Sequence, residues 1–140
     1  MHMKIIEEPV TLETVQKYKD ELFLFNEEME YLQDKRIIKL IDDNGQLIAI
    51  SMYTYKMNEY DVELYLSAEQ EKYKDKLCNS IYLDAISSIA HTGGVVNTIL
   101  NYIKSKYNKG VWLYSSIYKI RYWNARKDMQ YIGENIFITC

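Results

Sequence analysis

The residues best suited to chemistry lie in one stretch, Asn79 to Lys106. An almost wholly apolar run, Ser80 to Ile89, leads into Ala90-His91-Thr92-Gly93-Gly94. A helical pattern follows, with Val96, Ile99, Leu100, Ile103 and Tyr107 on one stripe. Strand, glycine loop and helix together can hold an anion. The first N–H groups of a helix lack internal acceptors, the helix dipole is positive there, and glycines admit close approach to the backbone. A tight turn in an ordinary α/β unit explains the same residues, and the residues by themselves leave both readings open.

The elements around this stretch follow from periodicity and punctuation. Met3 to Glu8 reads as a strand ended by Pro9. Thr11 is placed to cap a helix in which Leu12, Val15, Tyr18, Leu22, Phe25, Met29 and Leu32 keep helical spacing to about Gln33, with a break near Phe25-Asn26 left open. Arg36–Ile41 and Gln46–Lys56 read as strands joined by a hairpin at Asp43-Asn44-Gly45. Tyr60, Val62, Leu64 and Leu66 alternate with Asp61, Glu63, Tyr65 and Ser67, the pattern of a half-buried strand with an acidic outer face. Glu69 to Lys76 is charged enough for an exposed loop or short helix. After Asn108-Lys109-Gly110 stops the long helix, Gly110–Ile117 is a strand, parallel to the one before the helix by the crossover rule. Tyr118–Lys127 reads as a short helix, and Met129–Cys140 as strand material with a turn or bulge at Gly133-Glu134-Asn135. The whole is α/β, a mixed central sheet flanked by helices, in a single domain spanning residues 1–140.

Composition narrows the functional classes. No apolar run is long enough to span a membrane, and no leader pattern opens the chain, so the expected compartment is the cytoplasm with no membrane partner. Cys78 and Cys140, with His2 and His91, cannot build a disulfide framework or a zinc centre, so no metal is expected. Residues 1–70 hold 7 basic and 15 acidic side chains, a balance of −8; residues 71–140 hold 10 and 5, a balance of +5. One half therefore suits an anionic ligand and the other a cationic one, unless the asymmetry is only that of solvated faces. Nucleic acid is not an expected partner, since the net charge is −3 and no dense Lys/Arg stripe occurs.

The element order, with the glycine loop opening the helix after the central strand, resembles the GNAT superfamily of N-acetyltransferases. Two runs carry the resemblance. His91-Thr92-Gly93-Gly94-Val95-Val96 is similar to the family's Gln/Arg-x-x-Gly-x-Gly/Ala loop for acetyl-CoA, with Ile99-Leu100 matching the leucine pair of the following helix. Gly94 fits the central glycine, while His91 stands for Gln/Arg and Val96 for the second Gly/Ala. Val111–Ser116 and Ile120–Asp128 are similar to the family's late strand and short helix, with Lys127-Asp128 where Gly-Phe is usual and Trp123 at the position of a tyrosine that protonates the departing thiolate.

The resemblance implies a GNAT-like acyl-CoA N-acyltransferase fold and transfer of an acetyl group from acetyl-CoA to a primary amine of a small molecule, polyamine or peptide. Such a reaction needs a base for the ammonium proton, a donor to the carbonyl and a proton for the thiolate. Asp84, alone in an apolar strand, is the first base; Glu63, on the preceding acidic strand, is the second. Tyr122 is the candidate acid. Ser87, Ser88, His91, Thr92, Gly93, Gly94, Val95, Val96 and Trp123 are the candidate cofactor contacts, with Arg126 and Lys127 toward the adenosine. Each has a plainer alternative: a paired carboxylate, a solvent-facing charge, a core aromatic or a loop histidine. The departures at His91, Val96 and Trp123 also fit a GNAT-like domain without catalysis that binds CoA or a protein. A homodimer through the final strands would cover an exposed edge.

Overall fold

A computed structural model describes residues 2–22, 34–90 and 93–140. The helical reading beyond Leu22, with Phe25, Met29 and Leu32, lies outside the described residues, as do His91 and Thr92. Strand β1 (Lys4–Pro9) is followed by α1 (Leu12–Tyr18), which Thr11 caps. Thr14 N donates to Thr11 Oγ1 at 3.2 Å and Thr11 N donates to Thr14 Oγ1 at 2.8 Å, so two otherwise unpaired donors are satisfied reciprocally. Strands β2 (Lys35–Ile41) and β3 (Leu47–Thr54) form the expected hairpin. Gly45 takes the positive φ of +78° that its turn requires, and Asp42 Oδ1 accepts from the N–H groups of Asn44 and Gln46.

The half-buried strand expected at Tyr60–Ser67 is instead helix α2 (Glu59–Glu63), followed by turns, a 3₁₀ helix (Ala68–Tyr73) and α3 (Lys74–Cys78). The reason is local. Asn58 accepts from Asp61 N at 2.8 Å, and Glu59 and Asp61 in the first turn suit the helix dipole. Of the alternating apolar residues only Val62 is fully buried; Tyr60 and Leu64 are 72% and 68% exposed. Alternation was thus a coincidence of composition, and the cap decided.

Strand β4 (Ile81–Ser88), helix α4 (Val95–Tyr107) and strand β5 (Val111–Tyr114) make the central unit, with β4 and β5 parallel as the crossover rule requires. After α5 (Ile120–Asn124) the chain closes with a hairpin, β6 (Met129–Gly133) and β7 (Ile136–Thr139). The strands form one seven-stranded sheet in the order β1-β2-β3-β4-β5-β7-β6, with every pair antiparallel except β4 and β5. Successive strand residues face opposite sides. Ile38, Leu83 and Leu113 pack with Ile99 and Ile103 of α4, whereas Ile37 joins Tyr18 of α1, and Tyr82 and Trp112 join Val62 and Leu77. No helix among the described residues is long and apolar enough to cross a membrane.

Gly133 ends β6 with φ +96°, and a Cβ there would sit 2.8 Å from Nε2 of the buried Gln70, whose Oε1 accepts hydrogen bonds from Ser67 N and Oγ. Gly133→Ala combines backbone strain with displacement of a held side chain. Urea denaturation is expected to show a loss of about 2 kcal/mol.

Candidate active site

Two irregularities in β4 shape the site. Met52 pairs with Ala85 and Tyr53 with Leu83, so Asp84 is an extra residue on β4, a β-bulge. On the other edge, β5 pairs with β4 only through Ile81–Val111 and Tyr82–Trp112. Beyond Tyr82 the two strands part. A cleft of about 390 Å³ opens there on the α4 side, floored by Ile86 and Ser88 of β4. Gly93, Gly94, Val95, Val96 and Asn97 form one wall, and Lys119, Tyr122, Trp123 and Arg126 form the other.

The glycine loop behaves as its residue types require. Gly94 takes φ +85° at the N-cap of α4, and its carbonyl accepts from Thr98 N at 2.9 Å and Thr98 Oγ1 at 2.7 Å. The N–H groups of Val95, Val96 and Asn97 belong to the first turn and have no acceptor within the helix. Arg126 crosses from the α5 side to this turn and donates to Asn97 Oδ1. It also holds Asp128 through Nε at 3.0 Å and Nη2 at 2.8 Å, and approaches Tyr122 Oη at 3.4 Å. The Asp128 hydrogen bond outweighs burial and keeps the guanidinium firmly charged; the same contact holds the Asp128 carboxyl below its usual range. Lys119 lines the cleft with no ion pair among the described residues.

Of the residues singled out in the sequence, Ser88, Gly93, Gly94, Val95, Val96, Tyr122 and Trp123 meet at the cleft. Trp123 is 5% exposed and belongs to the core under α4, while Tyr122 is 44% exposed. Ser87 does not line the cleft: it pairs with Ile50, and its side chain falls on the face opposite to that of Ser88. Lys127 is outside the lining, whereas Arg126 is in it. Asn97, Lys119 and Ile86 were missed; the only available signal was the place of Asn97 in the first turn behind the glycines.

Both carboxylates need correction. Asp84 is not the isolated acid expected from an apolar strand. Its Oδ1 is paired with Lys35, and its Oδ2 accepts from Thr54 Oγ1 at 2.6 Å, with Lys35 Nζ also donating to Thr54 Oγ1 at 2.8 Å. The Asp84 side chain is 4% exposed. Glu63 lies on α2 rather than on a strand, and Lys74 holds it at 2.5 Å while also binding Glu59 at 2.7 Å. Hydrogen bonding to Lys74 lowers the Glu63 pKa. Neither carboxylate lines the cleft.

The sequence matches no family model, and no curated protein is similar to it in a sequence search. Solved structures do match the fold. A GNAT-family acetyltransferase from Listeria monocytogenes superposes with a TM-score of 0.61 at 9% identity, over 96% of this chain and 92% of that one. A histone acetyltransferase HPA2-related protein from Corynebacterium glutamicum gives 0.58 at 15% identity, over 93% and 86%. The N-acetyltransferase YlbP of Bacillus subtilis, solved in complex with coenzyme A, gives 0.53 at 13% identity, over 98% and 95%. With its mixed seven-stranded sheet, bulged β4 and parting of β4 from β5, the chain has the fold of the GNAT acyl-CoA N-acyltransferases.

Proposed function

We propose that the protein is an acetyl-CoA-dependent N-acetyltransferase acting on a primary amine. The observation that carries this reading is the cleft at the parting of β4 and β5, with a glycine-capped helix N-terminus on one wall and two cations on the other. The donor set fits a pyrophosphate: backbone N–H groups of Val95, Val96 and Asn97, with Lys119 and Arg126 opposite. The β4 edge beyond Tyr82 has no strand partner in β5, so its backbone groups are available to an extended amide-bearing chain. Acetyl-CoA, when bound, supplies the activated acetyl thioester.

The chain's own residues bind and orient. The bulge at Asp84 turns β4 away from β5, and the Lys35–Asp84–Thr54 cluster fixes that bulge, so Asp84 serves as a positioning residue. Tyr122 lines the cleft, and its hydroxyl is of the type that can donate a proton to a departing thiolate. Holding donor and acceptor together contributes most of the rate. Occupation of Asp84 by Lys35 and burial of Trp123 favour one second reading, a CoA-binding or protein-binding module without turnover.

Thermal unfolding with acetyl-CoA, desulfo-CoA and ATP tests the binding half. Acetyl-CoA at about 100 times its Kd stabilises the fold by about 2.7 kcal/mol, a rise of several degrees, and desulfo-CoA does the same while ATP does not. No shift at millimolar acetyl-CoA removes the enzyme reading and leaves the protein-binding module. A shift without acetyl transfer to any amine in a thiol-release assay leaves the module.

A further inference from the structure

The turn that leads into α5 departs from the usual chemistry of turns. Lys119 N donates to Ser116 O at 3.1 Å, so Ile117 and Tyr118 are the two central residues of the turn. Gly, Pro, Asn, Asp and Ser dominate such positions. Here they hold an aliphatic and an aromatic side chain, 69% and 87% exposed. The tip is fixed at both ends. Ser115 is buried and its N–H donates to Asn135 O at 2.7 Å, while Trp123, also buried, donates its N–H to Lys119 O at 3.1 Å. Single exposed apolar residues are ordinary, but two adjacent ones held out on an anchored tip make a patch that the fold itself does not use.

The charge around the tip has one sign. Between Asp84 and Asp128 the sequence contains no Asp or Glu, and it contains seven Lys and Arg. Lys119 and Arg121 flank the tip, are exposed, and make no ion pair among the described residues. Lys119 and Tyr122 also line the α4-side cleft, so the patch runs to the rim of that cleft. Free acetyl-CoA needs only the cleft. An apolar tip with two cations beside it is complementary to an acidic protein surface.

We propose that this tip docks a small acidic carrier protein, one that presents its acyl group as a thioester on a serine-linked phosphopantetheine arm, and that the arm enters the α4-side cleft. Use of the arm as acyl donor rests on the acetyltransferase reading; docking at the tip does not. The amine nitrogen bonds to the acyl carbon, the C–S bond breaks, and the proton lost by the amine ends on the carrier's thiol. The arm bears one phosphodiester, which the first-turn N–H groups of α4 and Arg126 satisfy as readily as a pyrophosphate. An anionic lipid surface also suits an apolar tip with cations, but it has nothing to place in the adjoining cleft.

The test is isothermal titration of the full chain with a bacterial acyl carrier protein, in its acetylated form and in its apo form, which lacks the arm. Wild type is expected to bind the acetylated form, to bind the apo form about tenfold or more weakly, and to lose affinity for both as salt rises. Tyr118→Ser and Arg121→Glu each lower the affinity for the acetylated carrier by about tenfold or more. Neither residue lines the cleft, so both variants keep the wild-type thermal shift with acetyl-CoA. No carrier binding, equal affinity for the two carrier forms, affinity unchanged in either variant, or an acetyl-CoA shift that falls together with carrier affinity overturns the proposal. Binding to phosphatidylserine vesicles without carrier binding assigns the tip to a membrane and overturns it as well. Carrier failure beside an intact acetyl-CoA shift removes this inference alone, whereas carrier docking with no acetyl-CoA shift removes the enzyme reading and keeps the docking tip.

Discussion

Replacing Glu7 by alanine is expected to cost about 3–5 kcal/mol and to lower the melting temperature by more than about 10 °C, the largest loss from any single surface-proximal change. Glu7 sits on β1, yet its carboxylate ties three other elements. Arg36 Nε of β2 donates to Oε2 at 2.9 Å, Lys106 at the end of α4 pairs with the same oxygen, and Tyr53 Oη of β3 donates to Oε1. The Tyr53 hydroxyl lies 2.7 Å from that of Tyr107, so the network reaches the last turn of α4 twice. The Glu7 side chain is 9% exposed, and its loss would leave two cations and a buried hydroxyl without their acceptor.

The same network predicts an acid response. Burial works to raise the Glu7 pKa, but hydrogen bonds from Lys106, Tyr53 and Arg36 and the charge of Arg36 outweigh it, and the net shift is downward from 4.5. A carboxyl with a lowered folded pKa contributes stability that is fully present above its unfolded value and is lost as pH falls through the folded one. Unfolding free energy is therefore expected to decline below about pH 4.5 in wild type. The Glu7→Gln variant should show a shallower decline over the same range in urea titrations. Parallel curves for the two proteins would remove Glu7 from the acid response.

Asp84→Ala is expected to be nearly as damaging, about 3–5 kcal/mol, because it removes the anionic partner of a Lys35 side chain that is only 12% exposed. A buried pair is itself weak evidence of stability, since desolvation offsets attraction. Lys35→Met combined with Asp84→Leu should thus recover most of the loss, and a double-mutant cycle in urea measures the coupling. The functional consequence separates positioning from base chemistry. If Asp84 only fixes the bulge, the double variant regains the acetyl-CoA thermal shift as it regains stability. Restored stability with no restored shift would mean that the carboxylate contributes to the cleft beyond fixing the strand.

The central unit was legible because its signals are local. Apolar run, glycines and helical stripe between Ser80 and Tyr107 correspond to β4, the Gly94 cap and α4. Thr11 capped its helix, and Asn44-Gly45 turned its hairpin, because caps and tight turns are closed by residues within four positions of one another. At Tyr60–Ser67 two local signals conflicted, and the periodicity misled where the Asn58 cap would have been the better guide.

What the sequence by itself determined, then, is the order of most elements, the glycine-capped entry to α4 and the parallel crossover to β5. The tertiary structure alone decided the site's electrostatics. Asp84 meets a lysine 49 positions away, Glu7 meets one 99 positions away, and Arg126 reaches Asn97 across 29. These partners are chosen by strand order, by register and by a single bulge residue, and a shift of one residue in register moves a side chain to the opposite face. Local composition carries no record of that register, so a carboxylate that reads as isolated along the chain can be fully paired in the fold.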